Sequence, residues 1–96
     1  AMKYILDKLK NKKDRSATFI CCLTYKSAKR KTVTVEGKLK GKISKKIIGK
    51  KGFGYDPIFI PNNFKITFGQ MNKYKKIKID HRYIAFRKLK KKIKTL

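Results

Sequence analysis

Ile5, Leu6 and Leu9 recur at helical spacing, and the polar run from Lys10 to Arg15 then ends the pattern. A short helix followed by a loop is predicted. Ala17 to Tyr25 is dense in β-branched and aromatic residues and predicts a well-buried strand. Ser27 to Arg30 turns the chain, and Thr32-Val33-Thr34-Val35-Glu36 alternates with period two, as a strand with one solvated face does. The two strands form a hairpin.

Gly37 and Gly41 flank Lys38-Leu39-Lys40, and alternation resumes from Lys42 to Ile48, so the second strand is expected to bend at a glycine and continue as a third. Gly49 to Gly54 reads as a loop. Tyr55 to Ile60 follows as an extended segment that Pro57 confines to an edge or irregular position, and Pro61-Asn62-Asn63 ends it. From Asp80 the pattern is helical: Asp80 suits an N-cap, Ala85, Leu89, Ile93 and Leu96 line one stripe with Ile84 and Phe86 beside it, and lysines fill the other face. The sum is a mixed α/β fold, a twisted sheet of at least three strands with flanking helices.

Ninety-six residues allow a single domain, 1–96, and 41% hydrophobic residues supply a modest core. Charge changes the picture more. Lys and Arg number 29 against 5 Asp and Glu, a formal +24, which attracts any polyanion. Most of the excess is Lys rather than Arg, whose planar fork reads base edges and phosphates bidentately, so non-specific polyanion binding is expected before specific recognition. A lysine- and isoleucine-rich, alanine-poor composition is also what an A+T-rich coding sequence places on permissive surface positions. Cys21 and Cys22 are adjacent and point to opposite faces of a strand, so they frame neither a disulfide scaffold nor a zinc site. A reducing, cytoplasmic location follows as an expectation, with no membrane association, since no apolar run approaches the roughly 18 residues of a span.

Two clusters could carry chemistry. Gly49-Lys50-Lys51-Gly52-Phe53-Gly54-Tyr55-Asp56-Pro57-Ile58-Phe59 concentrates glycines, aromatics and a carboxylate. Glycines let backbone approach a ligand closely, and an aromatic can stack on a planar base. The bland alternative is a hairpin loop with Phe53 and Tyr55 in the core. Asp80-His81-Arg82, with Lys75 upstream, sets donors at a helix N-terminus, where they suit the carbonyl oxygen of a purine. Here the alternative is a plain N-cap followed by two exposed polar residues.

In order along the chain, Ser16-Ala17-Thr18-Phe19-Ile20-Cys21, Glu36-Gly37-Lys38-Leu39-Lys40-Gly41-Lys42-Ile43, GKKGFGYDPIF, Thr67-Phe68-Gly69-Gln70-Met71 and Ile79-Asp80-His81-Arg82 resemble the C-terminal half of the inosine triphosphate pyrophosphatase family. That family removes aberrant purine nucleoside triphosphates by hydrolysing them to monophosphate and pyrophosphate. The resemblance implies that Phe53, Gly54, Tyr55 and Asp56 help form a purine pocket, that Lys75 matches the family lysine, and that His81 and Arg82 select a 6-oxo purine over adenine. Lys51 stands for a usual glycine, Gln70 for a usual glutamate, and Asp80 for a usual serine.

The family's T-x-N-x-x-K triphosphate loop, its metal-binding glutamate and its Asp-Asp-Ser-Gly segment have no counterpart here. The family's Mg²⁺ therefore lacks its ligands in this chain, no catalytic residue is assigned, and the chain reads as half a protein. It is expected to be inactive alone, with a homodimer or a separate N-terminal-half polypeptide as partner and a purine nucleoside triphosphate as ligand. Two other readings are a basic RNA- or DNA-binding module and a non-catalytic assembly subunit. The former calls for aromatics on a solvent-facing sheet surface ringed by lysine.

Overall fold

The first two strands, β1 (Ser16–Lys26) and β2 (Thr32–Ile43), pair antiparallel along their whole length, from Ser16 opposite Lys42 to Lys26 opposite Thr32. This is the hairpin that alternation predicts, seen in a computed structural model that describes residues 1–95. The turn closes when the Ser27 N–H donates to the Lys31 carbonyl at 2.9 Å and the Lys31 N–H to Ser27 Oγ at 3.1 Å. A short strand, β3 (Phe59–Pro61), pairs antiparallel with the other edge of β2, giving the order β1-β2-β3. The fold is mixed α/β, as expected.

Three local expectations need correction. β1 is not well buried: exposed and half-buried residues alternate along it, because only one face of the sheet is covered and β1 forms its edge. β2 runs through Gly37 and Gly41 as one strand of 12 residues, and no separate strand forms over 42–48. These glycines serve close packing rather than bending. A Cβ on Gly37 would collide with the His81 carbonyl and the Ala85 amide, and one on Gly41 with the Ile60 carbonyl and the Phe59 ring. Beyond Ile43 the chain is irregular, held where the Ser44 N–H donates to the Ile58 carbonyl at 2.8 Å and the Ile48 N–H to the Pro57 carbonyl at 2.9 Å. Pro57, finally, lies in a 3₁₀ turn, Asp56–Ile58, and not in extended chain. Its fixed φ suits that turn.

Helix α1 (Met2–Lys8) occupies the predicted place. Arg15 fastens it to the sheet: Nη1 donates to the Leu9 carbonyl at 2.8 Å, while Nε and Nη2 donate to the Ile43 and Ser44 carbonyls at 2.9 and 2.7 Å. One planar guanidinium thus satisfies carbonyls at the ends of two elements. A one-turn helix that the sequence pattern does not announce, α2 (Lys73–Lys76), is capped by Asn72, whose Oδ1 accepts the Tyr74 N–H at 2.8 Å. Helix α3 (His81–Ile93) begins at Asp80, whose Oδ1 accepts the Tyr83 N–H at 2.8 Å as an N-cap should. Of the expected stripe, Ala85 is fully buried, Ile84, Leu89 and Ile93 are half-buried, Phe86 is 56% exposed, and Leu96 lies outside the described residues.

The core centres on Phe59, Phe68 and Met71, with Ala17, Phe19, Leu39, Phe64 and Ile79 packed around them. Helix α3 lies across β2 and β1 on that side. The outward sheet face carries Thr18, Ile20, Cys22 and Thr24 opposite Lys40, Lys38, Glu36 and Thr34. It holds no aromatic side chain, so the stacking platform on which the RNA-module reading depends is missing there. Among the described residues no helix is long and apolar enough to cross a membrane.

Candidate functional site

The glycine loop takes its shape from backbone that only glycine adopts readily: φ is 94° at Gly49, 75° at Gly52 and 63° at Gly54. Gly52 also has no room for a side chain, since a Cβ there would strike the Asp56 carboxylate. The loop closes on itself when the Phe53 N–H donates to Asp56 Oδ2 at 3.0 Å, and on the following segment when the Lys51 N–H donates to the Gly69 carbonyl at 2.8 Å. The Gly69 N–H in turn donates to the Asp56 carbonyl at 2.9 Å. Lys51 therefore joins the loop through its main chain and leaves its side chain exposed.

Asp56 is 3% exposed and receives Lys76 Nζ on Oδ2 at 2.7 Å. Lys76, 6% exposed, also lies 4.5 Å from the Phe53 ring centroid and 5.5 Å from that of Phe68. Arg82 places its guanidinium carbon 4.0 Å from the same Phe53 centroid. Phe53 is 55% exposed, so it is not the core residue that the bland reading takes it for. Both cations lie over its ring, an arrangement worth about 0.5–2 kcal/mol per cation depending on desolvation.

These side chains bound a cleft of about 260 Å³ at the β1 edge of the sheet. Phe53, Gly54, Tyr55, Asp56, His81 and Arg82 all line it, so the two clusters that the sequence singles out meet at one place. Lys75 is the exception. It is exposed and sits over the Phe64 ring at 5.1 Å, whereas the neighbouring Lys76 turns inward and lines the cleft. The physical reason is the single turn of α2, whose consecutive side chains point in different directions. No local signal separates Lys76 from Lys75; its partner, the Asp56 carboxylate, lies in a remote loop. Thr18, Phe19 and Ile20 of β1, also missed, complete the wall.

His81 packs against Phe19 with ring centroids 5.0 Å apart and an interplanar angle of 65°. Its Nδ1 is buried and has no hydrogen-bond partner among the described residues. Desolvation lowers its pKa from 6.5, with Arg82 and Lys76 acting in the same direction and Asp80 and Asp56 against it. The imidazole is thus neutral at neutral pH, one nitrogen a donor and the other an acceptor. The two unusual polar residues are engaged locally: Asp80 caps α3, and Gln70 Oε1 accepts the Thr67 N–H at 3.0 Å. A glutamate would make the latter contact equally well.

The model of the Ham1 family matches residues 1–92. The chain belongs to the Ham1 family. Among curated relatives, the dITP/XTP pyrophosphatase of Clostridium tetani is 36% identical over 91 residues, covering 95% of this chain and 45% of its own. That of Borreliella burgdorferi is 46% identical over 89 residues, with 91% and 44% covered. Among solved structures, the Ham1 protein of Staphylococcus aureus superposes with a TM-score of 0.91 at 33% identity, covering 98% of this chain and 49% of that one. This Ham1 chain therefore spans about half the length of the relatives it matches.

The Mg²⁺ implied by the inosine triphosphate pyrophosphatase resemblance does not fit the donors present. Among the described residues no three of His, Cys, Asp and Glu are grouped to hold an ion. Asp56 is neutralised by Lys76, Asp80 caps α3, Asp14 accepts from the Ser16 N–H and hydroxyl, and Glu36 lies 3.9 Å from Lys38. An ion needs carboxylate oxygens converging on one point.

Proposed function

We propose that this chain is the base-recognition half of a purine nucleoside triphosphate pyrophosphatase. The supporting observation is the meeting of Phe53, Tyr55, Asp56, Lys76, His81 and Arg82 in one cleft. Phe53, 55% exposed, supplies the stacking face once the Arg82 guanidinium that lies over its ring turns to the base edge, where it and the neutral His81 supply donors. Hypoxanthine and xanthine present an acceptor oxygen where adenine presents an amino group, so a donor-rich wall favours the 6-oxo purines. Lys76 holds the Asp56 carboxylate in place and keeps the loop closed around it.

Hydrolysis needs an ion on the phosphate oxygens and a base that orients water, and the two carboxylates nearest the cleft, Asp56 and Asp80, are committed to Lys76 and to the cap of α3. Catalysis is therefore assigned to a complex, with a partner polypeptide supplying the N-terminal half and the Mg²⁺ ligands, or with a second copy in a homodimer. Exposed Ile77 and Phe86, each more than half accessible and lining one cleft between α2 and α3, support a covered surface in that complex. The two free cysteines support a reducing, cytoplasmic setting.

The test is binding of inosine monophosphate against adenosine monophosphate, followed by NMR, with pyrophosphate release from inosine triphosphate and Mg²⁺ assayed in parallel. Selective shifts at Phe53, His81 and Arg82 with no release are expected. Equal response to both nucleotides overturns base selection, and release by the repurified chain overturns the division of labour.

A further inference from the structure

A histidine that must present one nitrogen to a ligand is ordinarily oriented by a hydrogen bond at the other. His81 has none at Nδ1 among the described residues, although that atom is buried. What touches the ring instead is Phe19, which reaches from the edge strand β1 to the start of α3. We propose that Phe19 is a positioning residue for His81, fixing the imidazole by ring contact where no hydrogen bond fixes it.

Phe19 is itself rigidly seated. Its ring stacks on Phe59 with centroids 3.9 Å apart and planes 16° from parallel, and Phe59 is fully buried. Phe68 adds a tilted contact at 6.2 Å, and on the backbone Phe19 lies opposite Leu39 in the middle of the hairpin. An edge-to-face aromatic pair at such a distance is attractive beyond its area burial and favours one ring orientation. Core, Phe19 and His81 thus form one aromatic column that ends in the cleft.

Phe19 also helps to keep water from the imidazole. The charged groups facing His81 are Asp80 and Arg82 on its own segment, Lys76 from α2 and Asp56 from the 3₁₀ turn, and they act in opposing directions. Burial is the largest influence among them. Loss of the Phe19 ring therefore frees the imidazole to rotate and lets solvent reach it. The inference rests on the purine-site reading only for the use made of His81, since the contact exists without nucleotide.

His81 is the only histidine, so its imidazole signals are unambiguous in an NMR spectrum of the whole chain. Wild type is expected to show nuclear Overhauser contacts between the Phe19 and His81 rings. Phe19→Leu should move the titration midpoint of the imidazole up towards the ordinary value and weaken its nuclear Overhauser contacts to other cleft residues, while Phe19→Tyr keeps both as in wild type. A merely structural Phe19 would lower the melting temperature in Phe19→Leu without moving either of these. Absence of the wild-type contact, or a folded Phe19→Leu with an unchanged His81 titration midpoint and unchanged contacts to the cleft, overturns the proposal; should Phe19→Leu not fold, the wild-type contact and Phe19→Tyr decide. Inosine monophosphate is added last. If it leaves His81 unmoved, the purine-site reading fails while the Phe19 result stands.

Discussion

Lys76 and Asp56 form a 2.7 Å ion pair whose side chains are 8% and 4% exposed, joining the one-turn helix α2 to the glycine loop. Breaking a pair at such depth leaves a charge without solvent or counter-charge, at a cost of about 3–5 kcal/mol. For a small domain that is a large share of total stability. Lys76→Ala is therefore expected to unfold the chain at much lower urea concentration, while the exposed Lys75→Ala changes stability by less than about 0.5 kcal/mol. Equal midpoints for the two variants would show that the pair contributes nothing.

The lowered pKa of His81 makes stability depend on pH in a definite direction. Between the folded value and 6.5 the unfolded chain binds more protons than the folded one. The contribution is fully present above pH 6.5 and is lost as pH falls through 6.5 towards the folded value. His81→Gln should flatten this part of the stability curve in thermal melts between pH 7 and pH 5. A wild-type melting temperature that rises on acidification through this window would reverse the sign and exclude a desolvated imidazole.

Gly37 and Gly54 separate two reasons for glycine. Helix α3 crosses so close over Gly37 that an added methyl meets the backbone of His81 and Ala85, whereas nothing lies within 4 Å of a Cβ on Gly54, only a φ of 63°. Gly37→Ala must lift the start of α3, and with it His81 and Arg82, off the sheet; overpacking of this kind costs about 1–3 kcal/mol. Gly54→Ala is strained by about 1–2 kcal/mol but leaves α3 seated. Amide-shift maps should show α3 perturbed in the first variant and only the loop in the second.

These glycines also mark what was legible in the sequence. Period-two alternation located the hairpin, and the Asp80 cap with the apolar stripe located α3, because both signals are local. The two clusters of the cleft were legible as chemistry. Their meeting was implied by the family resemblance rather than by spacing, and its physical cause is α3 crossing Gly37 while the loop folds back on Asp56. Lys76 was hidden among lysines, since only tertiary contact distinguishes it from Lys75. The role of Gly37 and Gly41 was misjudged for a similar reason. A glycine in a strand signals either a bend or a close approach, and the approaching atoms belong to remote segments.

Lys38, Lys40 and Lys42 stand in a row on the outward face of β2, at alternate positions and so about 7 Å apart. The opposite strand places Ile20, Thr18 and Ser16 beside them, and the nearest carboxylate, Glu36, reaches Lys38 only at 3.9 Å. Such a row neutralises phosphates without reading bases, because a lysine is a point charge and the face offers no aromatic to stack on. Binding to single-stranded oligonucleotides should therefore be indifferent to sequence and should weaken linearly in log affinity against log salt. Replacing the three lysines by glutamine should reduce that slope by about two units if each meets one phosphate, since each neutralised phosphate on a single strand contributes about 0.7. The cleft lies at the β1 edge and keeps its cations, so inosine monophosphate shifts at Phe53 and Arg82 should persist in the triple variant. An unchanged salt slope would place the polyanion contacts on another lysine surface, and loss of the nucleotide shifts would make the sheet face and the cleft one site rather than two.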